Sequence, residues 1–162
     1  MLCYRVWEGR VLTIAMSLVM ILVMGLGLCR VEGAIAAVAP SQQTSTEVQV
    51  HLGNAENQLV FVPNQMTFEA GKRYKLTLDN PSALKHYFTA KDFTGAIWTQ
   101  KVDAGNVEIK GAISELELRP GSTADWVFIP MKPGTYKLRC TIPGHTEAGM
   151  VGELTIAISP TP

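Results

Sequence analysis

The stretch Cys140-Thr141-Ile142-Pro143-Gly144-His145-Thr146-Glu147-Ala148-Gly149-Met150 sets a thiol, an imidazole and a thioether within eleven residues. Pro133-Gly134-Thr135-Tyr136 leads into it, and Val151-Gly152-Glu153-Leu154-Thr155-Ile156 leaves it. Both flanks have strand character, so the stretch joins two strands and carries soft donors at its start, middle and end. Taken singly, each donor has an ordinary explanation: a buried thiol, a surface histidine, a core methionine. Taken together they point to a metal, because sulfur and imidazole donors select copper. Two histidines and a cysteine with a weak axial methionine are the donor set of blue-copper electron-transfer sites.

The second imidazole has to come from elsewhere in the chain. Besides His145 there are His51 and His86. His86 follows the turn opened by Asn80-Pro81 and starts the run His86-Tyr87-Phe88-Thr89, which places it at an end of the fold where loops gather. His51 follows Val48 and Val50 along a strand, with Gly53-Asn54 just beyond, and reads as a solvent-facing or hydrogen-bonded strand residue.

Working outward, the chain shows short alternating segments at 47–52, 59–62, 74–78, 86–89, 113–118, 124–129, 135–140 and 151–158. Most are separated by turn formers such as Pro63-Asn64, Ala70-Gly71, Pro120-Gly121 and Pro133-Gly134. Tyr74, Leu76 and Leu78 share one strand face while Lys75, Thr77 and Asp79 share the other, the period of two of a half-buried strand. These features predict an all-β fold, an antiparallel Greek-key β-sandwich spanning 46–159. Residues 91–112 are polar and irregular, with Trp98 as their main apolar feature. A short helix, a loose hairpin or a surface flap all fit there.

With Asn80 and His86 upstream, Pro133-Gly134-Thr135-Tyr136 before Cys140, and the CxxxxHxxxxM spacing followed by Val151–Ile156, the chain resembles the cupredoxin family over about residues 46–158. The resemblance implies a trigonal set of His86 Nδ1, Cys140 Sγ and His145 Nδ1 around one type 1 copper ion, with Met150 Sδ as a longer axial contact. It also implies a one-electron carrier rather than an enzyme, docking transiently with redox partner proteins near His145. A copper carrier or storage protein with the same ligands is the alternative. Two positions depart from the family pattern. Tyr87 stands after the upstream histidine, where many relatives carry Asn or Ser, although its backbone N–H is still placed to reach the Cys140 sulfur. Arg139 stands before the cysteine, where plastocyanin-like members often carry an aromatic residue, and its charge favours an acidic partner.

The N-terminal region has a different character. Residues 11–29 form a nineteen-residue stretch without a charged side chain, preceded by Arg5 and Arg10 and followed by Ala34-Ile35-Ala36, an A-x-A cleavage pattern. Its apolar run exceeds the roughly 7–15 residues of a signal peptide and approaches the roughly 20 that span a bilayer. Residues 1–36 are therefore expected to be an export signal or an uncleaved membrane anchor, and 37–45, small and polar, a flexible linker. Export to a periplasm or thylakoid lumen places the domain among oxidants, where cysteines normally pair. Of Cys3, Cys29 and Cys140, only Cys140 belongs to the domain, so it has no partner within it and suits a metal. The whole chain carries 14 Lys plus Arg against 14 Asp plus Glu. Such a balance excludes a nucleic-acid footprint. One domain, acting as a monomer, suits a chain of 162 residues.

Overall fold

Alternation of apolar and polar side chains builds this fold strand by strand. The computed structural model describes residues 38–159, so the expected export segment, with Cys3 and Cys29, lies outside the described residues. The chain runs through β1 (Thr46–Leu52), β2 (Phe61–Val62), β3 (Gln65–Glu69), β4 (Tyr74–Asp79) and β5 (His86–Thr89). A single-turn helix, α1 (Lys91–Thr94), follows, then β6 (Ile97–Ala104), β7 (Val107–Ile109), β8 (Glu115–Leu118), β9 (Thr123–Pro130), β10 (Gly134–Arg139) and β11 (Val151–Ala157). Among the described residues, no helix is long and apolar enough to cross a membrane.

Two sheets result, with strand orders β2-β1-β4-β9-β6-β7 and β3-β11-β10-β5-β8. The sandwich is as expected, but its sheets are mixed rather than purely antiparallel. β4 runs parallel to β1, from Thr46 opposite Tyr74 to His51 opposite Asp79, and β11 runs parallel to β3. After β2 the chain crosses to the other sheet to lay down β3, then returns to place β4 beside β1. A crossover of that kind yields a parallel pair. Alternation reports which face a residue takes and carries no information about the direction of the neighbouring strand.

One further strand has no counterpart in the sequence reading, and the segment left open there takes two of its expected forms. β3 alternates Met66 and Phe68 inward with Gln65, Thr67 and Glu69 turned toward solvent, a strand hidden by its polar majority. Residues 91–112 hold both α1 and the β6–β7 hairpin, and β6 pairs with β9 inside the first sheet. Trp98 is 52% exposed, whereas Phe93 is completely buried. The Phe93 ring lies 5.6 Å from those of Phe68 and Phe128 and 6.4 Å from that of Trp126. Burying a phenylalanine contributes about 1.5–3 kcal/mol, and a single-turn helix has no stability of its own. Phe93 therefore pins α1 to the core.

The core lies between the sheets. Val50, Leu76, Leu78, Trp126 and Phe128 from the first meet Phe68, Phe88, Leu138, Leu154 and Ile156 from the second. Ahead of β1, residues Pro40–Gln42 make a 3₁₀ turn. Arg73 reaches back to donate to the Gln43 carbonyl at 3.1 Å while its Nε donates to Gln100 at 2.8 Å.

Candidate metal centre

Strand ends bring the donors together. His86 opens β5, Cys140 follows the last residue of β10, and Met150 precedes the first residue of β11. The β10–β11 ladder ends with Arg139 opposite Val151 and is extended by Cys140 N–H donating to the Met150 carbonyl at 3.1 Å. Across the other edge of β10, Arg139 faces Thr89 of β5. This pairing sets the first residues of β5 beside Cys140, and Tyr87 N–H donates to Cys140 Sγ at 3.3 Å.

The intervening loop is held by its own backbone. His145 N–H donates to the Ile142 carbonyl at 3.0 Å, Met150 N–H to the His145 carbonyl at 2.9 Å, and Gly149 N–H to the Thr146 carbonyl at 3.0 Å. Thr146 Oγ1 closes the loop by donating to the Cys140 carbonyl at 2.7 Å. Gly149, at φ +100°, takes a conformation that side-chain-bearing residues rarely adopt, which lets the chain turn into Met150.

His86, Cys140 and His145 each offer one donor atom, and these atoms lie within 4.8 Å of one another. Cys140 Sγ is 3.4 Å from His145 Nδ1, and the two imidazole centroids are 5.2 Å apart. His86, Cys140 and Met150 are fully buried, while His145 is partly exposed. Among the described residues, Cys140 is the free cysteine.

A metal fits this arrangement on an observation independent of motif. His86 Nδ1 is buried and has no hydrogen-bond partner, a state that buried polar atoms seldom occupy. An unpartnered imidazole nitrogen on a histidine clustered with a thiol is a candidate coordination position. Burial, and then the charge of neighbouring His145, hold His86 below the ordinary histidine range, which keeps its lone pair available. His51 has no part in the cluster: its Nδ1 lies 2.8 Å from the Asp79 carboxylate, the hydrogen-bonded strand role expected of it.

The profile of copper binding proteins of the plastocyanin/azurin family matches residues 48–157, from β1 to the end of β11. The chain belongs to that family. This cupredoxin is 30% identical over 111 residues to plastocyanin of Rumex obtusifolius, covering 67% of this chain and 99% of the relative. It is 25% identical over 153 residues to the copper-resistant cuproprotein CopI of Pseudomonas aeruginosa, covering 76% and 82% of the two chains. Among solved structures, dithionite-reduced auracyanin from Roseiflexus castenholzii superposes with a TM-score of 0.51 at 22% identity, covering 71% of this chain and 99% of that one, which supports the fold. The cofactor of this cupredoxin is a type 1 copper.

At the two departures from the family pattern, the Tyr87 backbone still donates to sulfur, while its hydroxyl donates to Glu117 on the neighbouring strand β8. Arg139 is exposed. Sequence reading missed two residues beside His86: Ser82, whose Oγ lies 2.9 Å from His86 Nε2, and Gly53, where a Cβ would come 2.9 Å from that same nitrogen. Ser82 sits within the Asn80-Pro81 turn and reads as a turn former, and Gly53 is brought close by folding alone.

Proposed function

We propose that this cupredoxin is an exported one-electron carrier in which His86, Cys140 and His145 hold the copper and Met150 supplies the weak axial donor. The observation that carries the reading is the buried, unpartnered Nδ1 of His86 in a cluster with Cys140 and His145. Copper, when bound, supplies the one-electron chemistry. The protein's part is to keep the donors still, since every bond that must lengthen between the two oxidation states adds to the barrier. Strand ends, the Tyr87 N–H bond to sulfur and the Thr146 bond across the loop all serve that end.

His145 reaches the surface beside exposed Pro143 and Ala148, an apolar rim suited to brief docking with a redox partner. Transient redox encounters bury less than about 1,200 Å². Residues 1–36 are assigned as export signal or anchor and 37–45 as linker, ahead of a monomeric domain over 46–159, with a periplasm or thylakoid lumen as destination. A role in copper handling is the second reading, favoured by the likeness to a copper-resistant cuproprotein. Voltammetry on the copper-loaded protein in the presence of a copper chelator separates them. A carrier cycles repeatedly without losing metal, and loss of copper on reduction contradicts the proposal.

A further inference from the structure

The second nitrogen of His86 has a partner whose protons are dictated by its own neighbours. His86 Nε2 lies 2.9 Å from Ser82 Oγ in a buried contact. Around that oxygen stand Asn80 Oδ1 at 2.8 Å, the Leu84 carbonyl at 2.9 Å, and the Leu84 N–H, which donates to it at 3.2 Å. The Asn80 amide is oriented by its other end, where Nδ2 donates to the carbonyls of Leu84 at 2.7 Å and Leu118 at 2.9 Å. Asn80 Oδ1 is thus an acceptor alone, and it also takes the Ser82 N–H at 3.0 Å.

A serine hydroxyl has one proton and two lone pairs. Asn80 Oδ1 and the Leu84 carbonyl both accept and cannot donate, so the Ser82 proton goes to one of them. The lone pairs then receive the Leu84 N–H and His86. Nε2 is therefore the protonated nitrogen of His86 and Nδ1 the bare one, which is the nitrogen left without a partner. In the opposite tautomer Ser82 would have to turn its proton from those acceptors to Nε2, and a buried Nδ1–H would have nothing to bind.

We propose that Ser82 is the positioning residue that fixes the tautomer and ring orientation of His86 for copper, with Asn80 locking Ser82 in turn. This rests on His86 being a copper ligand, as assigned above. A metal-bound histidine donates its other N–H to an acceptor that sets its orientation, and losing such an acceptor typically costs about 10–100-fold in metal affinity. Here the acceptor is a neutral hydroxyl, which orients the ring without placing a negative charge behind it.

The test uses the full-length protein with and without copper. In the copper-free wild type, nitrogen NMR of His86 reports which ring nitrogen carries the proton. The Nε2–H form is expected, and the Nδ1–H form overturns the proposal. Ser82→Ala mixes the tautomers and weakens copper binding about 10–100-fold in competition with a chelator, while Ser82→Thr, which keeps the hydroxyl, preserves both. Wild-type affinity in Ser82→Ala, or an equal loss in Ser82→Thr, overturns it. If Ser82→Ala does not fold, the wild-type tautomer and Ser82→Thr decide the matter. Failure of the ligand assignment has a separate signature, a copper spectrum untouched by His86→Gln whatever the tautomer.

Discussion

Gly53→Ala loses more stability than Gly121→Ala, although the two glycines have nearly the same backbone. Their φ angles are +76° and +73°. Alanine in this left-handed region costs about 1–2 kcal/mol at either site, offset in part by about 0.4–1 kcal/mol from a less flexible unfolded chain. These contributions cancel in the comparison. A Cβ on Gly121 meets nothing within 4 Å, whereas one on Gly53 comes 2.9 Å from His86 Nε2 and 3.0 Å from Ser82 Cβ. Forcing one extra carbon into a packed site costs about 1–3 kcal/mol, so the difference between the variants falls in that range. Urea unfolding of both copper-free proteins, with unchanged denaturant slopes, measures it. Equal losses in the two variants would refute the claim that Gly53 provides the floor beneath His86.

Phe93→Ala is expected to cost about 3–5 kcal/mol in urea unfolding, and a loss under about 1 kcal/mol would mean that α1 is not anchored by this ring. Copper-free protein loses stability as pH falls through the ordinary histidine value of 6.5. The folded-state pKa of His86 is depressed, so the unfolded chain takes up its proton first, and the loss continues down to the folded-state pKa. Unfolding between about pH 8 and about pH 5 reads this, and His86→Gln should remove that share of the slope; an unchanged slope contradicts it. His145→Gly leaves the fold intact but opens the metal to external ligands such as imidazole, and a visible spectrum indifferent to added imidazole contradicts that expectation.

The sandwich and its site were legible to different degrees for physical reasons. β4 and β8–β11 were readable because their alternation or bounding turns are strong, as with Tyr74, Leu76 and Leu78. The parallel pairing of β1 with β4 was not, because side-chain period encodes face and not strand direction. β3 escaped because two inward residues among polar neighbours make a weak signal. In the 91–112 segment Trp98 is the conspicuous apolar residue but Phe93 is the buried anchor, since hydrophobicity alone does not say which ring faces inward. The cluster of His86, Cys140 and His145 was readable because two of its members and Met150 share one loop and the chain has few histidines to choose from. Ser82 and Gly53 act through contacts made only on folding, and no motif marks them.

Every role proposed for the site depends on copper binding through the Cys140 sulfur. Visible and paramagnetic resonance spectra of the copper-loaded full-length protein, recorded beside Cys140→Ser, test that directly. An intense blue thiolate-to-copper band that vanishes in Cys140→Ser is the predicted result. A pale, ordinary cupric spectrum in the wild type, or a band that survives the substitution, contradicts it.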